Sequence, residues 1–392
     1  MSEPKTTASA APNSEYRPGL EGVVASRSSI SFVDGEKGVL EYRGINIRDL
    51  VEHSSFEETT YLLLYNHLPN QRESAQFTTL MAKQRVLPQS VREAIHSFPV
   101  GMHPMVALQA GITMLAGEDY FTDEIGSQGN NIRRCVALIS KVPSILAAFE
   151  RCRNGEEPMP AVSKYSHAEN FLFMMRGERP HPLEAQIFDK LLIMHADHTT
   201  NASTFTCRVI GSTLANLYSS VSGAVGALSG SLHGGANERV LRMLYSIGSP
   251  ENVEKFVDEM TAAGNKIMGI GHRIYKVKDP RADLLQAMIP QLLELKGGQE
   301  WQTLYQTALR LEDVVNQKLG QKRLYPNVDF YSGIVLEVLG IPVDLFTTVF
   351  AMSRAGGWCA HWVEQVSANR IFRPKQEYIG DHSRPYVPLN QR

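Results

Sequence analysis

The sequence predicts an all-α protein that opens with a short β-ribbon. Apolar residues recur at helical spacing almost everywhere beyond about residue 50. Strand signals gather only in the N-terminal stretch VVASRSSISFVDGEKGVLEYRG, where β-branched and aromatic residues flank an Asp-Gly turn. Strands and helices do not alternate, which argues against a Rossmann sheet or a TIM barrel.

Taken in order, the pattern predicts helices over 56–66, 73–85, 104–115, 131–150, 183–195, 201–218, 250–263, 299–319 and 343–366. LHGGANERVLRML opens a further helix, the run from Asp283 stops at Pro290, and an apolar helix from about 328 is closed by Gly340. Residues 1–18, rich in Pro, Ser, Ala and Thr, read as a disordered tail. Glycines over 226–235 and the Tyr325-Pro326 step bracket a block of about 100 residues. They predict a small domain over 229–330 that moves on a large one made of 19–228 and 331–392.

Lys and Arg number 39 against 41 Asp and Glu, so no global field selects nucleic acid or a membrane surface. Any anion site must be local. Residues 209–237 contain no Lys, Arg, Asp or Glu and are long enough to span a bilayer. Six serines and six glycines in that stretch are too polar and too helix-breaking for lipid, so it reads as a buried helix pair. Cys135, Cys152, Cys207 and Cys359 are scattered, which suits free thiols in a cytoplasmic protein better than a disulfide framework or a zinc cluster. The N-terminus has no apolar signal core.

Six segments hold residues suited to chemistry. In SLHGGANERVL, His233 stands at the start of a helix, where free N–H groups and the dipole favour a neutral imidazole. In MGIGHRIYKVKDPRADL, glycines bare His272, and Arg273, Lys276, Lys278 and Arg281 follow with only Asp279 between them. A charge run of this kind is most often a solvated helix face. In YPNVDFYSG, Asp329 falls in the first turn of a helix, where an acid is stabilised without any catalytic role. HADH supplies His195, Asp197 and His198, and Arg354 and Arg373 are suited to a bidentate grip on carboxylates.

HADHTTNASTF, GSLHGGANERVL, MGIGHRIYKVKDPRADL, YPNVDFYSG, SRAGGW and FRPK occur in this order, and together they resemble the citrate synthase family from roughly residue 19 to 375. The resemblance implies a two-domain helical homodimer that closes over oxaloacetate and acetyl-CoA, with no metal or redox cofactor. It implies that Asp329 removes a methyl proton from acetyl-CoA, that His233 hydrogen-bonds the thioester oxygen, and that His272 polarises the oxaloacetate ketone. His198, Arg281, Arg354 and Arg373 would hold the oxaloacetate carboxylates, with Arg373 reaching across the dimer interface. Arg273, Lys276, Lys278, Lys322 and Arg323 would meet coenzyme A phosphates. Long eukaryotic members carry arginine where Lys276 stands, and lysine is a point charge rather than a fork.

Three other readings stay open on the sequence, one of them a non-catalytic anion-binding scaffold that uses the basic segment around Lys276. A 2-methylcitrate synthase, acting on propionyl-CoA, would share every motif. A metal-dependent hydrolase would draw on His195, Asp197, His198 and His233, although HxxxH spacing is absent.

Overall fold

A computed structural model of the chain describes residues 16–119 and 125–392; most of the expected tail lies outside the described residues. Residues 28–371 form one compact body, and the described residues before 28 form a second unit with 372–392. The second unit holds a 3₁₀ turn at Pro18–Leu20 and an extended tail that ends in another at Leu389–Gln391. In that tail Arg384 pairs with Asp381, and Tyr378 donates to the Asp381 carbonyl at 3.0 Å.

The body begins with the predicted ribbon. Strands β1 (Ser31–Asp34), β2 (Val39–Tyr42) and β3 (Ile45–Asn46) pair antiparallel in that order, with Ser31 opposite Tyr42 and Asp34 opposite Val39. The Asp34 carboxylate accepts the Glu36 and Lys37 N–H groups, each at 3.0 Å, and so closes the turn. Sixteen α-helices follow among the described residues. The first half runs α1 (Ile47–His53), α2 (Phe56–Tyr65), α3 (Gln71–Gln84), α4 (Gln89–Ser97), α5 (Pro104–Leu115), α6 (Gln128–Arg153), α7 (His167–Arg176) and α8 (Pro182–His195). The second runs α9 (Ala202–Ser212), α10 (Leu217–Leu228), α11 (Ala236–Ile247), α12 (Val253–Ala262), α13 (Pro280–Lys296), α14 (Gln299–Leu319), α15 (Val328–Val338) and α16 (Phe346–Ser367). No helix among the described residues is long and apolar enough to cross a membrane.

Helix α16 is buried along nearly its whole length, with Trp358 and Trp362 at its centre, and α2, α6, α8, α9 and α10 pack around it. Helices α11, α13, α14 and α15 pack on one another. Gly357 lets α16 approach the HADH turn: its N–H donates to the Ala196 carbonyl at 3.1 Å, and a Cβ there would lie 2.3 Å from the same oxygen.

The structure departs from the expected elements in several places. Helices α1, α4 and α7 were not anticipated. The helix expected over 201–218 is two, because Leu214 turns left-handed at φ 63° and the Asn216 side chain caps α10 through the Ser219 N–H. Residues 250–252 form a 3₁₀ turn before α12. Helix α13 continues through Pro290, where a stop was expected. Proline removes the N–H that would bond the Gln286 carbonyl, and the Tyr305 hydroxyl of α14 donates to that carbonyl instead, at 3.3 Å.

Candidate active site

The short backbone bridge between Ile270 and Pro326 joins two of the predicted segments. The Gly271 N–H donates to the Tyr325 carbonyl at 2.7 Å, and the Asn327 N–H donates to Gly269 at 2.9 Å. Gly269 is left-handed, at φ 74°, and a Cβ there would stand 3.1 Å from the Phe330 Cα. The bridge thus sets His272 beside the first turn of α15. There Asn327 is the N-cap, and its side chain accepts the Asp329 N–H at 3.0 Å.

Two imidazoles are held in opposite tautomers. At His272, the N–H groups of Ile274 and Tyr275 both donate to Nδ1, at 3.0 and 3.1 Å. An atom that accepts cannot carry the proton, so Nε2 carries it and is the free donor. At His233, Nε2 accepts the Ser203 N–H at 3.2 Å and lies 2.8 Å from the Ser203 hydroxyl, which leaves the proton on Nδ1. Ser203 belongs to the first turn of α9, so a helix N-terminus does fix this imidazole, but it is that of α9 and not of the helix that follows His233. The hydroxyl of Ser203 is in turn bonded by Trp358 Nε1 at 3.1 Å.

Both rings are neutral at physiological pH. Burial, helped by Arg354, lowers His233 to about 4. Burial, helped by Arg281 and Lys276 against Asp279, lowers His272 to about 4. His198 is also pushed well below its ordinary value by burial and by Arg281. Its Nε2 meets the Tyr275 hydroxyl at 3.3 Å, and its ring centroid lies 5.3 Å from that of His272.

Two buried guanidinium groups face these rings electrostatically. Arg281 is gripped by Asp279 through Nε at 3.0 Å and Nη2 at 2.7 Å. Burial weakens its charge, but Asp279 outweighs that and holds the guanidinium above its ordinary value. Arg354 has no carboxylate of its own. Its Nε donates to the His195 carbonyl at 2.7 Å, its plane lies over the Phe350 ring, and burial lowers it to about 10. It therefore stays charged, and its terminal nitrogens have no acceptor among the described residues. Asp329 is the matching anion. Burial raises it to about 6 against the pull of Arg281 and Arg354, and no donor reaches its carboxylate among the described residues.

The remaining predicted residues separate clearly. Arg273, Lys276, Lys322 and Arg323 are exposed, and Arg323 pairs with Glu36 at 2.8 Å. Lys278 is only partly exposed. Its amine turns inward to Glu312 at 2.5 Å, Gln286 at 2.6 Å and Asp283 at 3.3 Å, and two carboxylates already match its charge. Arg373 falls in the terminal unit, where it donates to the Pro374 carbonyl at 3.0 Å.

The hydrolase grouping does not assemble. His195 Nδ1 donates to the Leu191 carbonyl of its own helix at 2.9 Å. The Asp197 carboxylate is taken by Ser31, by the Thr199 N–H at 3.2 Å and by His361 at 3.3 Å. Among the described residues, no three His, Cys, Asp or Glu side chains are placed to share a metal. Sequence reasoning missed Ser203, Trp358, Tyr275 and the ribbon residues Ser31 and Tyr42. Ser203 alone had a signal, two residues past the N-cap in NAS.

A mainly helical body that holds two neutral imidazoles, two buried guanidinium groups and one carboxylate of raised pKa carries the side chains that acid–base chemistry uses. The comparisons with known proteins carry this further. The family model described as "Citrate synthase, C-terminal domain" matches residues 19–375. A citrate synthase of Synechocystis sp. is 47% identical over 380 residues, covering 97% of this chain and 95% of that one. Citrate synthase 2 of Bacillus subtilis is 45% identical, covering 95% and 98%. Among solved structures, the citrate synthase of Pyrobaculum aerophilum superposes with a TM-score of 0.89 at 39% identity over all of both chains. That of Thermoplasma acidophilum, a ternary complex with carboxymethyl coenzyme A and oxaloacetate, gives 0.89 at 32%, covering 96% and 100%. The chain belongs to the citrate synthase family, enzymes of the acyltransferase type.

Proposed function

We propose that this chain condenses acetyl-CoA with oxaloacetate and water to give citrate and coenzyme A. The observation that supports this best is the pair of imidazoles in opposite tautomers beside a carboxylate of raised pKa. A thioester methyl proton is too weakly acidic for a carboxylate to remove unaided. Asp329 takes that proton while the His233 Nδ1–H donates to the thioester oxygen, where negative charge develops. One such positioned donor contributes about 2.7–4 kcal/mol. The His272 Nε2–H donates to the oxaloacetate ketone, which accepts the new carbon–carbon bond. His198, Arg281 and Arg354, with Arg373 of the partner subunit in a homodimer, hold the carboxylates so that attack is effectively intramolecular. Closure of residues 229–330 over the site excludes water until citryl-CoA forms, and water then cleaves its thioester. These steps call on no metal or redox group. Arg273, Lys276, Lys278, Lys322 and Arg323 are the basic side chains suited to coenzyme A phosphates, Lys278 being held by Glu312 and Asp283. Its four free thiols suit a cytoplasmic enzyme.

The deciding measurement is kcat/KM for acetyl-CoA against propionyl-CoA. One methylene in a pocket is worth about 1–3 kcal/mol. The acetyl thioester should be preferred by about tenfold or more, and a preference of that size for the propionyl thioester identifies a 2-methylcitrate synthase instead.

A second expectation concerns pH. A carboxylate base works only when ionised, so kcat/KM should climb with pH through about 6 and then level off. His233 and His272, at about 4, are already neutral across that range and add no limb of their own. An acid limb centred near 4 would remove Asp329 from the role of base.

A further inference from the structure

The β-ribbon grips the site from two sides. On the His198 side, the Ser31 hydroxyl of β1 bonds the Asp197 carboxylate and accepts the Thr199 N–H at 3.0 Å. The Tyr42 hydroxyl of β2 donates to the Asp197 carbonyl at 2.9 Å and accepts the Asp197 N–H at 3.1 Å. The residues immediately before and after His198 are therefore both fixed by the ribbon. On the His272 side, the Gly35 carbonyl in the β1–β2 turn accepts the Lys276 N–H at 2.9 Å. A Cβ on Gly35 would lie 2.2 Å from the Ile274 carbonyl oxygen and 2.8 Å from its carbon, both rigid backbone atoms. Gly35 has no left-handed φ, so close approach alone demands glycine here. Ile274 and Tyr275 are the residues whose N–H groups set the His272 tautomer.

We propose that the ribbon is the jig that spaces the two imidazoles assigned to oxaloacetate, and that Gly35 is a positioning residue for His272. The proposal rests on the oxaloacetate reading above. Its physical basis is that one hydrogen-bonded pair of strands, in register from Ser31–Tyr42 to Asp34–Val39, touches the backbone next to both rings. A side chain at position 35 must push Ile274 away, and the two amides that hold Nδ1 move with it. The His272 proton is then no longer confined to Nε2, and the donor to the ketone is present only part of the time.

The test compares Gly35→Ala with Gly44→Ala in the full chain, by ring ¹⁵N spectra of the histidines and by steady-state kinetics. Gly44, at φ 80°, also lies in the ribbon, but a Cβ there meets nothing within 4 Å. The expected result for G35A is a mixed His272 tautomer and a kcat lower on the order of a hundredfold. G44A should lose stability and keep the parental His272 spectrum and kcat. A parental His272 spectrum in G35A overturns the proposal. A mixed tautomer with an undiminished kcat leaves the positioning in place and overturns instead the assignment of His272 as ketone donor. If G35A does not fold, Ser31→Ala carries the test through His198. Its ring spectrum and the KM for oxaloacetate should both change, and parental values of both overturn the proposal.

Discussion

Asp329→Asn is expected to lower kcat by about 10²–10⁴-fold, the range that a positioned base supplies, while oxaloacetate still binds. Asparagine keeps the shape and the backbone cap from Asn327 but cannot accept the methyl proton. Exchange of acetyl-CoA methyl protons with solvent deuterium should therefore stop together with turnover. Stability should move the other way. The folded protein holds the Asp329 proton more tightly than the unfolded chain does, about 6 against 3.8. Stability from this group is thus full below about 3.8 and is lost as pH rises through about 6. At pH 7.5 the variant should melt at or above the temperature of the parent. A variant that keeps proton exchange, or one that melts well below the parent, contradicts the role given to this carboxylate.

Arg281→Ala is expected to cost about 3–5 kcal/mol of stability, because it leaves Asp279 as a buried charge without a partner. Both side chains are almost wholly buried, at 3% and 0% exposure. The sign with pH separates this from a simple loss of packing. In the parent, burial raises Asp279, but the guanidinium and N–H of Arg281 outweigh it and hold the carboxyl below its ordinary value. The stability this contributes is present above about 4 and is lost as pH falls through the folded pKa. In the variant only the backbone N–H of residue 281 and the more distant His272 still oppose burial, so the carboxyl pKa rises. The deficit should then be largest at neutral pH and should shrink as the solution is acidified toward pH 5. Melting temperatures of both proteins across that range check it; a deficit independent of pH would mean that the pair matters only through volume.

How much of this was legible in the sequence depends on how locally each feature is encoded. The β1–β2 turn was readable because Asp34 folds back on the amides two and three residues on. Helix α5 was readable to the residue, since Pro104 opens it after the His103 cap. Helix α7 was equally well marked, with Ser166 as N-cap, Glu169 three residues later and left-handed Gly177 at its end, and periodicity alone passed over it. The break between α9 and α10 was hidden because no charged residue marks it: none occurs from Val209 to the end of α10. The site residues were visible as types in ordered motifs, but their tautomers were not. That of His233 depends on Ser203, thirty residues back, and that of His272 on a turn whose amides at 274 and 275 fold onto the ring, which periodicity does not mark. The partners of Lys278 were hidden too: Gln286 and Glu312, which hold its amine, lie on α13 and α14 and have no mark near residue 278.

The passage of α13 through Pro290 has a consequence of another kind. The carbonyl of Gln286 is left open by one residue and closed by a hydroxyl fifteen positions further on, from a different helix. Proline at 290 and tyrosine at 305 therefore make a single heritable choice. Loss of the hydroxyl strands a carbonyl only while the proline remains, and a substitution that restores an amide at 290 removes the reason for the hydroxyl. In a lineage, the order in which the two positions change decides which intermediate is sound: the amide must return before the hydroxyl is given up.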